Sequence, residues 1–113
     1  MKLLVALFGL CAFTAATHAA DMGLEEVEAL GRLNGQALAC AQGDNVRRIK
    51  TVMIEVAPKS RQYGAAFEQT THDAFLQRSG EQEACADAPV IALRVEELAT
   101  RLRTLFPPRE PQQ

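Results

Sequence analysis

The chain has no tryptophan, one tyrosine and five phenylalanines. So few aromatic rings argue against the stacking platforms that hold single-stranded nucleic acid. It also lacks an excess of positive charge: 12 basic and 14 acidic residues leave a formal net charge of -2. A dedicated nucleic-acid binder needs a strongly basic face, so no nucleic-acid partner is expected. Motifs are equally scarce. The sequence carries no CxxCH, no HExxH, no GxGxxG and no phosphate-binding loop, so the common haem, zinc, dinucleotide and nucleotide sites are not expected. Beyond the first 20 residues there is one histidine, His72, and two methionines, Met22 and Met53, too few for a His-rich or Met-rich metal site. No cofactor is expected.

What is present begins with an apolar leader. Lys2 supplies a minimal positive start, and Leu3 to Phe13 is almost wholly apolar, about the length of a signal-peptide core. The small residues Thr14 to Ala20 follow, and cleavage after Ala19 places Thr17 and Ala19 at the two small-residue positions. Residues 1–19 are therefore expected to be a signal peptide. The apolar run breaks near Thr14, short of the roughly 20 residues that span a bilayer, so no stable membrane span is expected after cleavage. A lipoprotein anchor through Cys11 is disfavoured, because Leu10 stands where a small residue belongs. The expected location is the periplasm.

Cys11 leaves with the leader, and Cys40 and Cys85 remain. In an oxidising compartment an even pair reads as one disulfide. A bond closing a loop of this length is worth about 4 kcal/mol in the chain-entropy model, comparable to the whole net stability of a small domain.

Four helices follow from hydrophobic spacing. Asp21 is a candidate N-cap for helix 1, with Glu25 and Glu26 in its first turn, where acids suit the helix dipole. Val27, Leu30, Leu33, Ala37, Leu38 and Ala41 share one face, and Gly43 is the expected left-handed stop, so the helix is expected over about 22–41. Val46, Ile49, Met53 and Val56 give helix 2 a buried stripe, capped by Asp44 and ended by Pro58. Its β-branched residues permit a strand, but the longer period favours a helix. Ser60 is expected to cap helix 3, which carries Tyr63, Ala66, Phe67, Thr70 and Ala74 on one face and ends at Gly80. Asp87 and Pro89 open helix 4, whose Ile91, Val95, Leu98, Leu102 and Leu105 form the most regular stripe, ended by Pro107 and Pro108. The expected fold is all-α: a single-domain antiparallel four-helix bundle over residues 20–106 with one disulfide. A disordered Pro-rich tail is expected over 107–113. Short connections predict that sequential helices are antiparallel neighbours. In that topology helix 1 ends where helix 4 begins, which brings Cys40 to Cys85.

No catalytic constellation and no metal site is evident. His72 has no nucleophile-elbow serine, and Glu68 four residues earlier reads as its surface partner. The informative segment is Leu30 to Gly35. Asn34 sits near the centre of helix 1's apolar face, and buried Asn must be hydrogen-bonded. Thr70 and Thr71 are its candidate partners. The structural reading is a register-setting core contact, and the functional one a small ligand pocket. Gly31 and Gly35 flank it, each costing about 1 kcal/mol in a helix interior relative to Ala. Close approach of another helix, or of a partner, would explain them.

A second candidate is Arg47, Arg48 and Lys50, basic residues early in helix 2 where the dipole disfavours them. With Ile54 they form an expected partner surface, a basic rim around one exposed apolar residue. Leu76 and Leu93 would mark a further partner or homodimer face if adjacent. With three of four remaining aromatics on or beside core stripes, interfaces are expected to be charged and aliphatic. The expected function is a non-enzymatic protein-binding domain, an accessory subunit of an envelope, secretion or conjugation assembly. The alternatives are a periplasmic immunity or inhibitor protein, a small-ligand carrier at Asn34, and, last, an enzyme using His72.

Overall fold

The computed structural model describes residues 22–80 and 84–108. The expected signal peptide 1–19, the Asp21 cap and residues 109–113 of the tail lie outside the described residues. Four helices form the chain's antiparallel bundle: α1 (Leu24–Ala39), α2 (Gly43–Glu55), α3 (Arg61–Gly80) and α4 (Ala88–Leu105). No strand occurs among the described residues, so α2 follows its 3.6-residue period. None of these helices is long and apolar enough to cross a membrane.

The helix ends depart from expectation in two places. α1 starts at an N-cap of Gly23 with φ +81°, a left-handed conformation that suits glycine. A Cβ there would also lie 2.5 Å from the Phe106 ring. At the other end the left-handed residue is Ala41, with φ 55°, and not Gly43. The Gln42 amide donates to the Ala37 carbonyl at 2.8 Å and the Ala41 amide to Leu38 at 3.3 Å. This paired closure is a Schellman motif, and it shortens the connection so that Gly43 already belongs to α2. Gln42, not Asp44, is accordingly the N-cap of α2. Past Glu55 the chain stops at Pro58, and the Lys59 ammonium donates to the Met53 carbonyl at 2.9 Å and to that of Ile54. α4 begins as expected, with Asp87 as N-cap and a proline in its first turn. The Asp87 backbone carbonyl, not its carboxylate, takes the first amides.

Val27 and Leu30 of α1 meet Ile49 and Val52 of α2 and Ile91, Val95, Leu98, Ala99 and Leu102 of α4 in one core. Burying side chains of this size is worth about 1.5–3 kcal/mol each. α3 is placed differently. Short connections lead one to expect it beside α2 and α4, yet its extensive contact is with α1. Residue pairing runs in register, Gly31 against Phe67 and Thr70 and Gly35 against Thr71 and Ala74, so α1 and α3 lie parallel. The cause is the two glycines. A Cβ on Gly31 would lie 1.8 Å from Thr70 Oγ1, and one on Gly35 2.3 Å from the Thr71 carbonyl oxygen. The backbones approach closer than side chains permit, and α3 follows the glycine face of α1.

The two poles are closed by different means. At one, Cys40 and Cys85 form the disulfide, with Cα atoms 5.9 Å apart. Beside it Gln42 Nε2 donates to the Ala86 carbonyl at 2.8 Å, and buried Asn45 donates to Gln42 Oε1 and the Ala88 carbonyl, both at 3.0 Å. At the other, the Tyr63 hydroxyl donates to the Met22 carbonyl at 2.6 Å, and its ring meets Phe106 edge-on at 6.1 Å.

Gly35→Ala is expected to destabilise the protein by about 2–3 kcal/mol, because its Cβ collides with backbone that cannot turn aside. Gly64→Ala, where a Cβ meets nothing within 4 Å, is expected to stabilise by roughly 0.5–1 kcal/mol. Urea midpoints of the two variants check this opposition of sign.

Candidate functional site

The glycine contact determines what lies beside it. Asn34, between Gly31 and Gly35, is drawn into the α1–α3 seam and is only 4% exposed. Its Nδ2 donates to Thr71 Oγ1 at 3.3 Å, one of the two partners its position suggested. The other, Thr70, instead donates its hydroxyl to the Ala66 carbonyl at 2.8 Å. Asn34 Oδ1 is buried without a hydrogen-bond partner. Exchanging the amide's two ends only moves the problem, because one threonine hydroxyl can serve one end. An unmet buried acceptor costs about 1–3 kcal/mol.

Beside this amide lies a groove of about 470 Å³. Leu38 and Phe75 form its walls, 44% and 39% exposed. Phe67 and Thr71 lie deeper, and Glu68 and His72, one turn apart on α3, complete the lining. The groove exists because α3 is held by α1 alone along this stretch. The spacing puts Leu38 on the core stripe and predicts little exposed aromatic surface. Leu38 departs from the first expectation, because no helix covers the last turn of α1 on this side; the second holds, since Tyr63 is buried, Phe67 and Phe106 pack against the core, and Phe75 alone of the four described aromatics is exposed.

A second apolar groove lies between α1 and α4, where Leu33 and Gln36 face Val90, Ile91 and Leu93. Leu93 is 66% exposed. Leu76, on α3, lines neither groove. Arg47, Lys50 and Ile54 of the basic rim are all exposed. Arg47 is paired with Asp44 within its own helix. Arg48 is engaged elsewhere, reaching across to α4 and holding Glu96 through two bonds of 2.6 and 3.1 Å. No group of three or more potential metal ligands occurs among the described residues. Gln42 and Asn45 tie α2 to α4, and hydrophobic spacing gives no sign of either; two amide residues at the short junction between helices are the only signal.

The Arg48 hydrogen bonds hold the Glu96 carboxyl below the usual carboxylate range and raise the Arg48 guanidinium above its own. A carboxyl depressed on folding contributes stability above its unfolded pKa and loses it as pH falls through the folded one. The pair is half in water, so its worth is about 0.5 kcal/mol. Glu96→Gln should therefore lower the urea-derived stability by roughly 0.5 kcal/mol at neutral pH and by nothing near about pH 2.

Comparison with known families, curated proteins and solved structures finds no match to this chain. The fold and grooves therefore define only a class: a small, disulfide-stapled, all-α domain with apolar grooves on both sides of one helix.

An apolar residue at position 34 would relieve the unmet acceptor. Asn34→Leu is expected to raise stability by about 1 kcal/mol, seen as a higher urea midpoint at unchanged slope. A lower midpoint would mean that the amide is satisfied after all.

Proposed function

We propose that this chain is a non-enzymatic protein-binding domain of the periplasm, an accessory subunit of an envelope assembly, that docks through its disulfide pole. One observation carries the reading. Of the seven large apolar side chains exposed among the described residues, Leu38, Phe75, Leu76, Val90 and Leu93 lie toward the pole where α1 and α3 end and α4 begins. Met22 and Ile54 are the two at the other end. Scattered exposed apolar residues are ordinary, but their concentration at one end is the mark of an interface.

The same pole has rigidity suited to docking. The disulfide, the Schellman closure and the Gln42–Asn45 hydrogen bonds fix the end of α1 and the starts of α2 and α4 together, so little ordering of these three ends remains to oppose association. Arg47 and Lys50, in the first two turns of α2, add a basic rim for an acidic partner surface. The expected leader and the disulfide both suit an oxidising compartment.

A photo-crosslinking residue placed at Leu38, Phe75 or Leu93 in cells is expected to trap one and the same protein. The same residue at Met22 is expected to trap nothing specific. Equal yields at both poles, or no adduct at the disulfide pole, would refute this docking surface.

A further inference from the structure

The two grooves beside α1 differ in one respect. The α1–α4 groove is bordered by Arg94 and Glu97, which pair with each other at 3.2 Å, and no unmet buried group adjoins it among the described residues. The α1–α3 groove has at its base an amide that is 96% buried, given its 4% exposure, with an acceptor left unmet. A packed core would have placed an apolar residue there or supplied a donor. Here the position is bordered by open space of about 470 Å³, within the size range of small-molecule sites.

We infer that the α1–α3 groove is a binding site for a small neutral aromatic molecule bearing a single hydrogen-bond donor, a phenol being the simplest example. Each part of that description comes from a group in the groove. The walls are Leu38 and Phe75, with Phe67 behind them, so the body of the ligand is apolar, and two phenylalanine rings suit an aromatic one through offset or edge contacts. With Asn34 Nδ2 donating to Thr71 Oγ1, Oδ1 is the end left as an acceptor without a donor, so the ligand's polar end donates. A carboxylate or phosphate is disfavoured, because it would bring a second acceptor against Oδ1 and lie near Glu68.

Oδ1 is shielded from bulk water. The ligand reaches it by displacing Leu38 and Phe75, which line the groove and are partly exposed. The shielding adds to selectivity: a donor meeting a buried acceptor recovers more than one meeting a hydrated acceptor, and an apolar molecule of the same shape leaves the acceptor unmet. The groove should thus separate two ligands that differ by one hydroxyl. This inference stands apart from the protein-docking reading, since its test needs only the purified protein and a small molecule.

The test is an amide NMR titration of the purified protein with p-cresol and, separately, with toluene. p-Cresol is expected to give saturable shifts centred on Asn34, Leu38, Phe67, Thr71 and Phe75, and to bind roughly five- to tenfold more tightly than toluene, the worth of one hydrogen bond. In Asn34→Leu the preference should vanish, with toluene bound at least as well as p-cresol. Shifts scattered over the surface, equal affinity of the two probes for the native chain, or an unchanged p-cresol preference in Asn34→Leu would each overturn the proposal. Should Asn34→Leu not fold, the affinity ratio on the native chain decides alone.

Discussion

The close approach of α1 and α3 through Gly31 and Gly35 governs the rest of this structure. Ordinary side chains hold helix axes about 8–10 Å apart. Here a Cβ at either glycine would run into the facing helix, so the two backbones meet where two layers of side chain would otherwise stand. The local cost in helix propensity is repaid as contact along nearly the whole of α1. Three features depend on it. α3 lies parallel to α1, its main neighbour; Asn34 is carried into the seam; and a groove opens along one side of that seam. A bundle with alanine or leucine at 31 and 35 would have no reason to place α3 there.

Much of the architecture was legible in the sequence because it rests on local spacing. The stripe from Ile91 to Leu102, the break at Pro58 and the start at Asp87 and Pro89 are properties of a few consecutive residues, and each appears where its spacing put it. Gly31 and Gly35 advertised a close approach through their cost in a helix, but not which helix would approach. That was decided by Phe67, Thr70, Thr71 and Ala74, which look like a modest core stripe when read along α3 alone. Local reading failed where two signals competed. Gly43 offers the better left-handed residue, yet the chain turns at Ala41, because the closure from Gln42 to Ala37 places Cys40 opposite Cys85. Arg48 read as part of a basic rim, since its partner Glu96 is 48 residues away and no periodicity reveals it. Leu38 falls on the stripe by its spacing; what spacing could not show is that nothing lies over it.

The two poles divide the chemistry. One is joined by a tyrosine hydroxyl, an edge-on aromatic pair and a glycine that makes room for the Phe106 ring. Tyr63 is buried there, and two of the seven exposed large apolar side chains, Met22 and Ile54, lie toward that end. The other is joined by a covalent bond and side-chain amides, which fix helix ends without consuming their apolar neighbours. The second means of closure is what lets a small domain leave leucine, valine and phenylalanine uncovered at one end and still hold its shape.

The span enclosed by the disulfide has a consequence for motion. Cys40 and Cys85 bracket all of α2 and α3, while α3 is attached chiefly to one neighbour. If α3 lifts from α1, the covalent ring keeps it near the face it left, so its return is an intramolecular event at high effective concentration. The α1–α3 seam can then breathe as a local opening while the core of α1, α2 and α4 stays formed. The staple thus acts as a leash as well as a brace: it permits the seam to open and keeps that opening reversible.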